Sequence, residues 1–517
     1  MQNFNGIASL PPELLCDIFL KNTEQDDPMH NRLITARHSS QVCQSWRSIL
    51  LAFPSIWGRL INLDDYFDRK KETWMQEVVS RSGGAPLWIT GRIFSFYTST
   101  CFISLLKENW ERVQHLEIGA VNRGSDERWS FLCRPAPNLE RLSIKLFHWE
   151  TYYERHAGAL VIPSLFSDVA PRLRAFCIPG SFKFKMNTPC FSNMRVFTFP
   201  RDYTVPMIFS LLKLMPRLTH LRVDAYKQVE HPPVERMDFT RIDIPLLEGL
   251  QIVSRDSSEI LALLECIKPS SRCGLLLTHE IYWNRDHPGP LMHICPYPPP
   301  TTHDVILKWV LAYIKGCGRP PNFIKLDTNQ IEHDGKRLVR LAISDCSKLR
   351  VMHIEQSVLY LEVFLDSARG PSLVQELSAS SDLFRAAERL HVNSMSVPSG
   401  LYSVYQDFSC VTELTLTAPD SHYTSDVKTW YTRDDGTPQP REAALFPSLH
   451  TVILDISRVS DGLVWIVDYL EYRWEIGLPV CVLDVSRSLY ATDPGCRSMR
   501  DRLNKFNGLV VRWKAEA

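Results

Sequence analysis

The sequence is short of the features that would announce a chemistry. Its 58 Lys and Arg residues balance 58 Asp and Glu residues. A general nucleic-acid binder or acidic-membrane binder should be basic, so the charge predicts neither nucleic acid nor membrane as partner. The 14 cysteines are scattered from Cys16 to Cys496 with no C-x-x-C pair. That spacing excludes a compact disulfide framework and a zinc ribbon, and predicts reduced thiols acting as small apolar side chains. No uncharged apolar run approaches the ~18 residues that span a bilayer. The opening from Met1 to Leu10 has no basic stretch ahead of an apolar one, so no signal peptide is expected. The expected location is cytoplasmic and/or nuclear. Glycine is sparse, at 22 residues against 34 prolines, which suits a chain punctuated at many strand-to-loop junctions.

Catalytic signatures are missing too. There is no G-x-G-x-x-G, phosphate-cradling loop, G-x-S-x-G elbow or H-E-x-x-H, and Gly316-Cys-Gly318 runs into Pro320 and Pro321. The sequence therefore predicts no catalytic residues, no cofactor and no metal. The one metal-like constellation is His287, His293, Cys295 and His303, irregularly spaced among prolines. Zinc needs three or four converging ligands, so a surface loop is the expectation there. Pro296-Tyr-Pro-Pro299 in the same stretch reads as a rigid loop.

What is present begins with length. At 517 residues the chain is too long for one core, and predicts several domains or an extended repeat array. From about residue 110 a pattern recurs, apolar-x-x-apolar-x-apolar. It reads Val113…Leu116-Glu-Ile118, Leu139…Leu142-Ser-Ile144, Leu173…Phe176-Cys-Ile178, Met194…Phe197-Thr-Phe199, Leu218…Leu221-Arg-Val223 and Leu247…Leu250-Gln-Ile252. It returns at Leu349…Met352-His-Ile354, Val411…Leu414-Thr-Leu416 and Leu449…Val452-Ile-Leu454. The first six anchors, at 113, 139, 173, 194, 218 and 247, step by 26, 34, 21, 24 and 29 residues. These steps straddle the 20–29 residue period of leucine-rich repeats.

Helical spacing fills some of the intervals: Ile260, Leu263, Leu264, Ile267; Ile306, Trp309, Val310, Tyr313; and Leu463, Ile466, Val467, Leu470. The expected fold is α/β, an irregular solenoid of one strand and one helix per repeat over residues 109–517. It lacks the regular asparagine of tidier leucine-rich repeats. A plain mixed α/β fold with parallel strands is the alternative. Arg141, Arg222, Glu248, Arg350 and Glu413 fall at strand positions that alternation leaves exposed.

The first sixty residues read differently. Leu10-Pro-Pro-Glu-Leu14-Leu15-Cys-Asp-Ile18-Phe19 starts on prolines suited to a first helical turn and carries Leu10, Leu14 and Ile18 at i, i+4 spacing, widened by Leu15 and Phe19. A second amphipathic segment runs Val42-Cys-Gln-Ser-Trp46-Arg-Ser-Ile49-Leu50, followed by Pro54 and Trp57. Stripes this large in so few residues cannot all be buried internally. They dock on the rest of the chain or on a partner.

In that order, Leu10-Pro11-x-Glu13-Leu14-Leu15-x-x-Ile18-Phe19, Val42-Cys43-x-x-Trp46-Arg47 and Pro54-x-x-Trp57 resemble an F-box. The chain resembles particularly the F-box proteins of mushroom-forming fungi, whose box is followed by a segment like Trp74 to Leu87. The resemblance implies an F-box over 9–60, a linker leading into the solenoid over 61–108, and a leucine-rich-repeat-like recognition region over 109–517. The implied function is that of a non-catalytic substrate receptor in a Skp–cullin–F-box ubiquitin ligase, with an unknown protein as substrate. Carried over by position, Leu10, Pro11, Leu14, Leu15, Ile18, Val42 and Trp46 make or support the contact with the Skp-family adaptor. Trp57 and Val42 are equally suited to the core of the box. The polar stretch between Phe19 and Val42 is longer than in compact F-boxes and is expected to bulge as a loop.

Two insertions are candidate specificity elements: Phe147 to Arg155, rich in aromatics, and Pro419 to Glu442, which reads as a polar excursion. Three rivals stay open: an F-box scaffold acting outside a cullin complex, an enzyme with an unrecognised pocket in the repeats, and a solenoid whose first sixty residues are merely its cap.

Overall fold

The computed structural model describes the chain except residues 1–9, 24–31, 65–71, 122–126, 148–159, 179–181, 185–187, 200–202, 226–240, 255–262, 270–272, 280–299, 317–322, 328–336, 345–358, 366–372, 393–401, 419–429, 433–435, 457–463, 488–495 and 515–517. The architecture is mixed α/β and dominated by parallel sheet. The chain divides into two compact units, residues 1–236 and 237–517.

The first unit opens with four short helices, α1 (Pro12–Thr23), α2 (Arg32–Val42), α3 (Gln44–Ala52) and α4 (Pro54–Gly58), before strand β1 (Ile61–Asn62). Helix α5 (Glu72–Arg81), β2 (Leu87–Ile93), α6 (Phe96–Asn109), β3 (Val113–Val121), β4 (Arg141–Phe147) and β5 (Leu160–Ile162) follow. Then come β6 (Ala175–Cys177), β7 (Phe182–Phe184), β8 (Val196–Phe199), α7 (Val205–Leu212) and β9 (His220–Ala225). The main sheet is parallel and runs β1–β2–β3–β4–β6–β8–β9. β5 and β7 form a small parallel pair of their own. Within residues 61–108, expected as the linker and entry segment, β1 and β2 are the first two strands of this sheet.

The recurring pattern explains the sheet. Apart from Val113, which opens β3 itself, its first anchor sits in the turn before the strand, and the next two lie in or at the end of the strand and face the core. Leu139, Leu142 and Ile144 are buried, as are Leu173, Phe176 and Ile178, Met194, Phe197 and Phe199, and Leu218, Leu221 and Val223. Register then lines up Leu116 with Leu142, Leu142 with Phe176, Phe176 with Phe197, and Phe197 with Leu221. Each step stacks one apolar row on the next, so the core is continuous along the strands.

Polar residues at one position stitch the turns. Asn138, just before the Leu139 anchor, donates its side-chain amide to the Glu111 carbonyl at 2.8 Å, two residues before Val113. Asn193, before Met194, donates to Pro171 O at 3.2 Å, two residues before Leu173. In the second unit Ser448, before Leu449, donates to Ser409 O at 2.8 Å, two residues before Val411. Asn or Ser at the same position thus satisfies a carbonyl of the preceding turn in all three places.

The return segments depart from one helix per repeat. α6 joins β2 to β3 and α7 joins β8 to β9, but β3 to β4 and β6 to β8 return through short 3₁₀ turns at Glu127–Cys133 and Pro189–Asn193.

In the second unit the ladder runs Gly249–Ser254, Gly274–His279, Leu359–Leu365, Arg337–Ser344, Phe323–Asp327, Arg389–Val392, Glu413–Ala418, Thr451–Ile456, Val482–Asp484, Val510–Arg512. Arg337–Ser344 is antiparallel to both neighbours, and the other pairings in this ladder are parallel. Sequence order is therefore broken between 274 and 392, where the chain doubles back once. The Leu349 repeat lies outside the described residues. Of the expected helices, Pro300–Gly316 and Val464–Glu475 form, and residues 263–266 of the first expected one are helical, while Ile267 belongs to a strand, Ile267–Pro269, paired with Ile242–Ile244. β-branched Ile267 at a helix end is readily taken into the sheet when a partner strand is in register.

Candidate partner-docking site

Helix α1 has two apolar faces where sequence spacing suggested one wide stripe. Leu15, Cys16, Phe19 and Thr23 point inward and are buried. Phe19 meets the Trp46 ring edge-on at 5.2 Å, tying α1 to α3. Leu50, Ile56 and Trp57 complete this small core. The opposite face carries Leu14, 49% exposed, and Ile18, 42% exposed. One helical turn separates them, so they make a continuous outward ridge.

The other expected contact residues divide in the same way. Val42 is 63% exposed at the end of α2, whereas Leu15 is 2% exposed and can only support the ridge from beneath. Leu10 and Trp46 are half-buried and Pro11 is exposed. Trp57, offered as either anchor or core, is core at 6% exposure. Its indole N–H donates to Leu50 O at 2.7 Å, the Arg81 guanidinium covers its face at 4.7 Å, and Trp74 meets it edge-on at 6.4 Å.

The stretch expected to bulge as a loop is largely helical. α1 continues to Thr23, and α2 occupies Arg32–Val42, leaving residues 24–31 outside the described part. Arg32 fixes the start of α2 by donating to Thr23 O at 3.1 Å and to the Thr90 hydroxyl of β2 at 2.9 Å. None of the side chains of α2 is buried. Helices in proteins draw most of their stability from packing one face, so α2 is short of the burial that normally holds an 11-residue helix. Leu51, 41% exposed at the end of α3, is a further apolar residue of this helical group that sequence spacing did not single out.

The helical group is anchored to the sheet by close backbone approach. A Cβ on Gly58 would lie 2.3 Å from Pro86 O, so only glycine lets α4 meet the turn before β2. That turn, Ser82 to Ala85, is gripped by Arg112, which donates to Ala85 O at 2.9 Å and to the Ser82 hydroxyl at 2.8 Å. The segment from Trp74 to Leu87 therefore serves as the mount between helices and sheet: Trp74 and Arg81 face Trp57, and Ser82 to Ala85 face Arg112.

Chemically this surface offers burial rather than proton transfer. Burial, and then the neighbouring Asp17 and Glu13, push the Cys16 thiol up. A thiol so held stays protonated. His287, His293 and Cys295 lie outside the described residues, and His303 sits in the helix Pro300–Gly316. No described helix is long and apolar enough to cross a membrane. Of the expected strand-face residues, Arg141 pairs with Glu117 at 3.1 Å and Arg222 with Asp224 at 2.8 Å. The first pair is exposed on both sides and is worth at most about 1 kcal/mol, whereas Asp224 is buried. Arg350 and residues 148–155 lie outside the described part.

No family model matches the chain, and no curated protein matches it either.

Proposed function

We propose that residues 10–58 are an F-box that docks a Skp-family adaptor, and that the strand array is a leucine-rich-repeat-like solenoid that holds a protein substrate. The chain is then the substrate-recognition subunit of a Skp–cullin–F-box ubiquitin ligase. The observation that carries this reading is the split of α1: its inward face completes a small core while Leu14 and Ile18 project outward, with Val42 exposed in the next helix. A helical group that merely capped the array would have little use for an outward apolar ridge. The parallel rows of the sheet suit presentation of a large recognition surface. Ubiquitin transfer needs no acid, base or nucleophile from such a subunit, because holding a substrate lysine near the conjugating enzyme raises its effective concentration.

Co-expression with a Skp-family adaptor is expected to give a one-to-one complex that survives size exclusion. A monodisperse chain that ignores the adaptor would return the helical group to the role of a cap.

A further inference from the structure

In the second unit, the segment expected as a polar excursion instead delivers a fully buried Trp430. It lands in a cluster of aromatic hydroxyls. Among the described residues, the buried side-chain nitrogen and oxygen atoms short of a hydrogen-bond partner gather here: the hydroxyls of Tyr402, Tyr405, Tyr469 and Tyr472, the Trp430 indole N–H and Nε of Arg473, of which the Tyr469 hydroxyl and Arg473 reach each other. Trp430 lies 6.3 Å from the Tyr405 ring and meets Tyr469 edge-on at 5.9 Å, and Tyr469 lies 6.5 Å from Tyr472. Folded proteins satisfy nearly every buried polar group. Leaving one unpaired costs about 1–3 kcal/mol. With Tyr469 and Arg473 set against each other, three hydroxyls and the Trp430 N–H in one cluster still mark a place built for something that accepts hydrogen bonds.

Charge narrows the acceptor. Arg473 is fully buried. Its terminal nitrogens are fixed by three carbonyls, Leu445 O and Phe446 O at 2.9 Å and Leu449 O at 3.4 Å. Phe446 displays its carbonyl from a left-handed turn, φ 55°. Arg502 takes Asp468 and Glu471 of the same helix, each at 2.7 Å, and Glu475 there is exposed, so none of the three is paired with Arg473. The phenols do not neutralise it either. Burial pushes Tyr472 up to about 12 and raises Tyr402, Tyr405 and Tyr469 as well, with Arg473 pulling only partly against it at Tyr469 and Tyr472. At neutral pH all four hydroxyls keep their protons and can donate. A buried cation without a counter-charge is strongly unfavourable. The donors are too many and too spread for one spherical ion, whereas an oxyanion presents several acceptor atoms.

We propose that Tyr402, Tyr405, Trp430, Tyr469, Tyr472 and Arg473 line a buried site for a small oxyanion, a phosphate or a carboxylate group, that completes the hydrogen bonding of this part of the array. Tyr402 is half-buried while its hydroxyl is shielded, so the site comes nearest the surface there. The inference does not depend on adaptor binding.

The test is calorimetric titration of the full chain with inorganic phosphate and, separately, with acetate at constant ionic strength. Saturable binding of one anion is expected. Phosphate alone would identify a phosphate-bearing ligand, and acetate a carboxylate-bearing one. The double variant Tyr405→Phe with Tyr472→Phe keeps both rings and removes two donors. It should weaken binding at least tenfold and raise the melting temperature of the ligand-free chain, because two unpaired polar groups are gone. If the pair does not fold, Tyr472→Phe alone is expected to show the same two changes in smaller measure. An anion carried through purification would appear as a mass excess in native mass spectrometry that the variant loses, and counts as binding. Failure of both anions to bind with no such excess, or unchanged affinity in a folded variant, would overturn the site.

Discussion

Replacing Leu14 and Ile18 together by Ala is expected to weaken adaptor binding about 30-fold to several-hundred-fold while leaving the chain as stable as before. Each side chain is roughly half exposed in the free chain, 49% and 42%. Covering the remainder and removing it again at the centre of an interface is worth about 1–2 kcal/mol apiece. The pair therefore loses about 2–4 kcal/mol, and each 1.4 kcal/mol is tenfold in affinity. The fold should not notice, since the inward face of α1 is untouched and surface substitutions usually stay within about 0.5 kcal/mol. Surface plasmon resonance against immobilised adaptor, paired with a thermal melt, separates the two quantities. Undiminished affinity in the folded double variant would remove the ridge from the interface.

Trp57→Ala should show the opposite pairing, a large loss of stability with loss of binding only as its consequence. The side chain is 6% exposed. It holds Leu50 O by its indole N–H and is covered by Arg81 and Trp74. Truncating a buried aromatic of this size costs about 3–5 kcal/mol. Trp57→Phe retains most of the ring contact and loses the hydrogen bond, for about 1–2 kcal/mol. In urea unfolding, the earliest transition of Trp57→Ala is expected to move to clearly lower denaturant, with Trp57→Phe between it and the parent. A shift below about 1 kcal/mol would mean that α4 is not mounted on the sheet in the way the Trp57, Arg81 and Trp74 contacts imply.

The strand rows were legible because their spacing is local. Leu142 with Ile144 and Phe197 with Phe199 alternate within one strand, and the anchor three residues earlier marks the turn before it. The side chains that stitch the turns were not legible, because two Asn and one Ser make no regular motif and only the stacked turns show that Asn138, Asn193 and Ser448 share a position. The doubling back between 274 and 392 was not legible. Whether Leu359–Leu365 pairs with Gly274–His279 or with the preceding strand depends on partners far away in the chain, which local pattern does not encode.

Around the docking site, i, i+4 spacing revealed an apolar α1, but not that Leu15 turns inward while Leu14 and Ile18 turn outward. That division is decided by where α3 and α4 stand. α2 escaped notice because Leu33, Ile34 and Val42 are too few to make a stripe, and Leu51 because it adjoins the buried Leu50. The cluster around Arg473 was hidden for the same reason as the reversed strand: its members come from segments 70 residues apart.

The central claim is that the N-terminal helices await a partner, and amide hydrogen exchange with and without the adaptor tests it most directly. With none of its side chains buried, α2 should exchange nearly freely in the isolated chain. Adaptor binding is expected to slow exchange at least tenfold across α1 and α2 and leave β4, which carries Leu142 and Ile144, unchanged. Equal exchange of α1 and α2 in the presence and absence of adaptor would contradict the account.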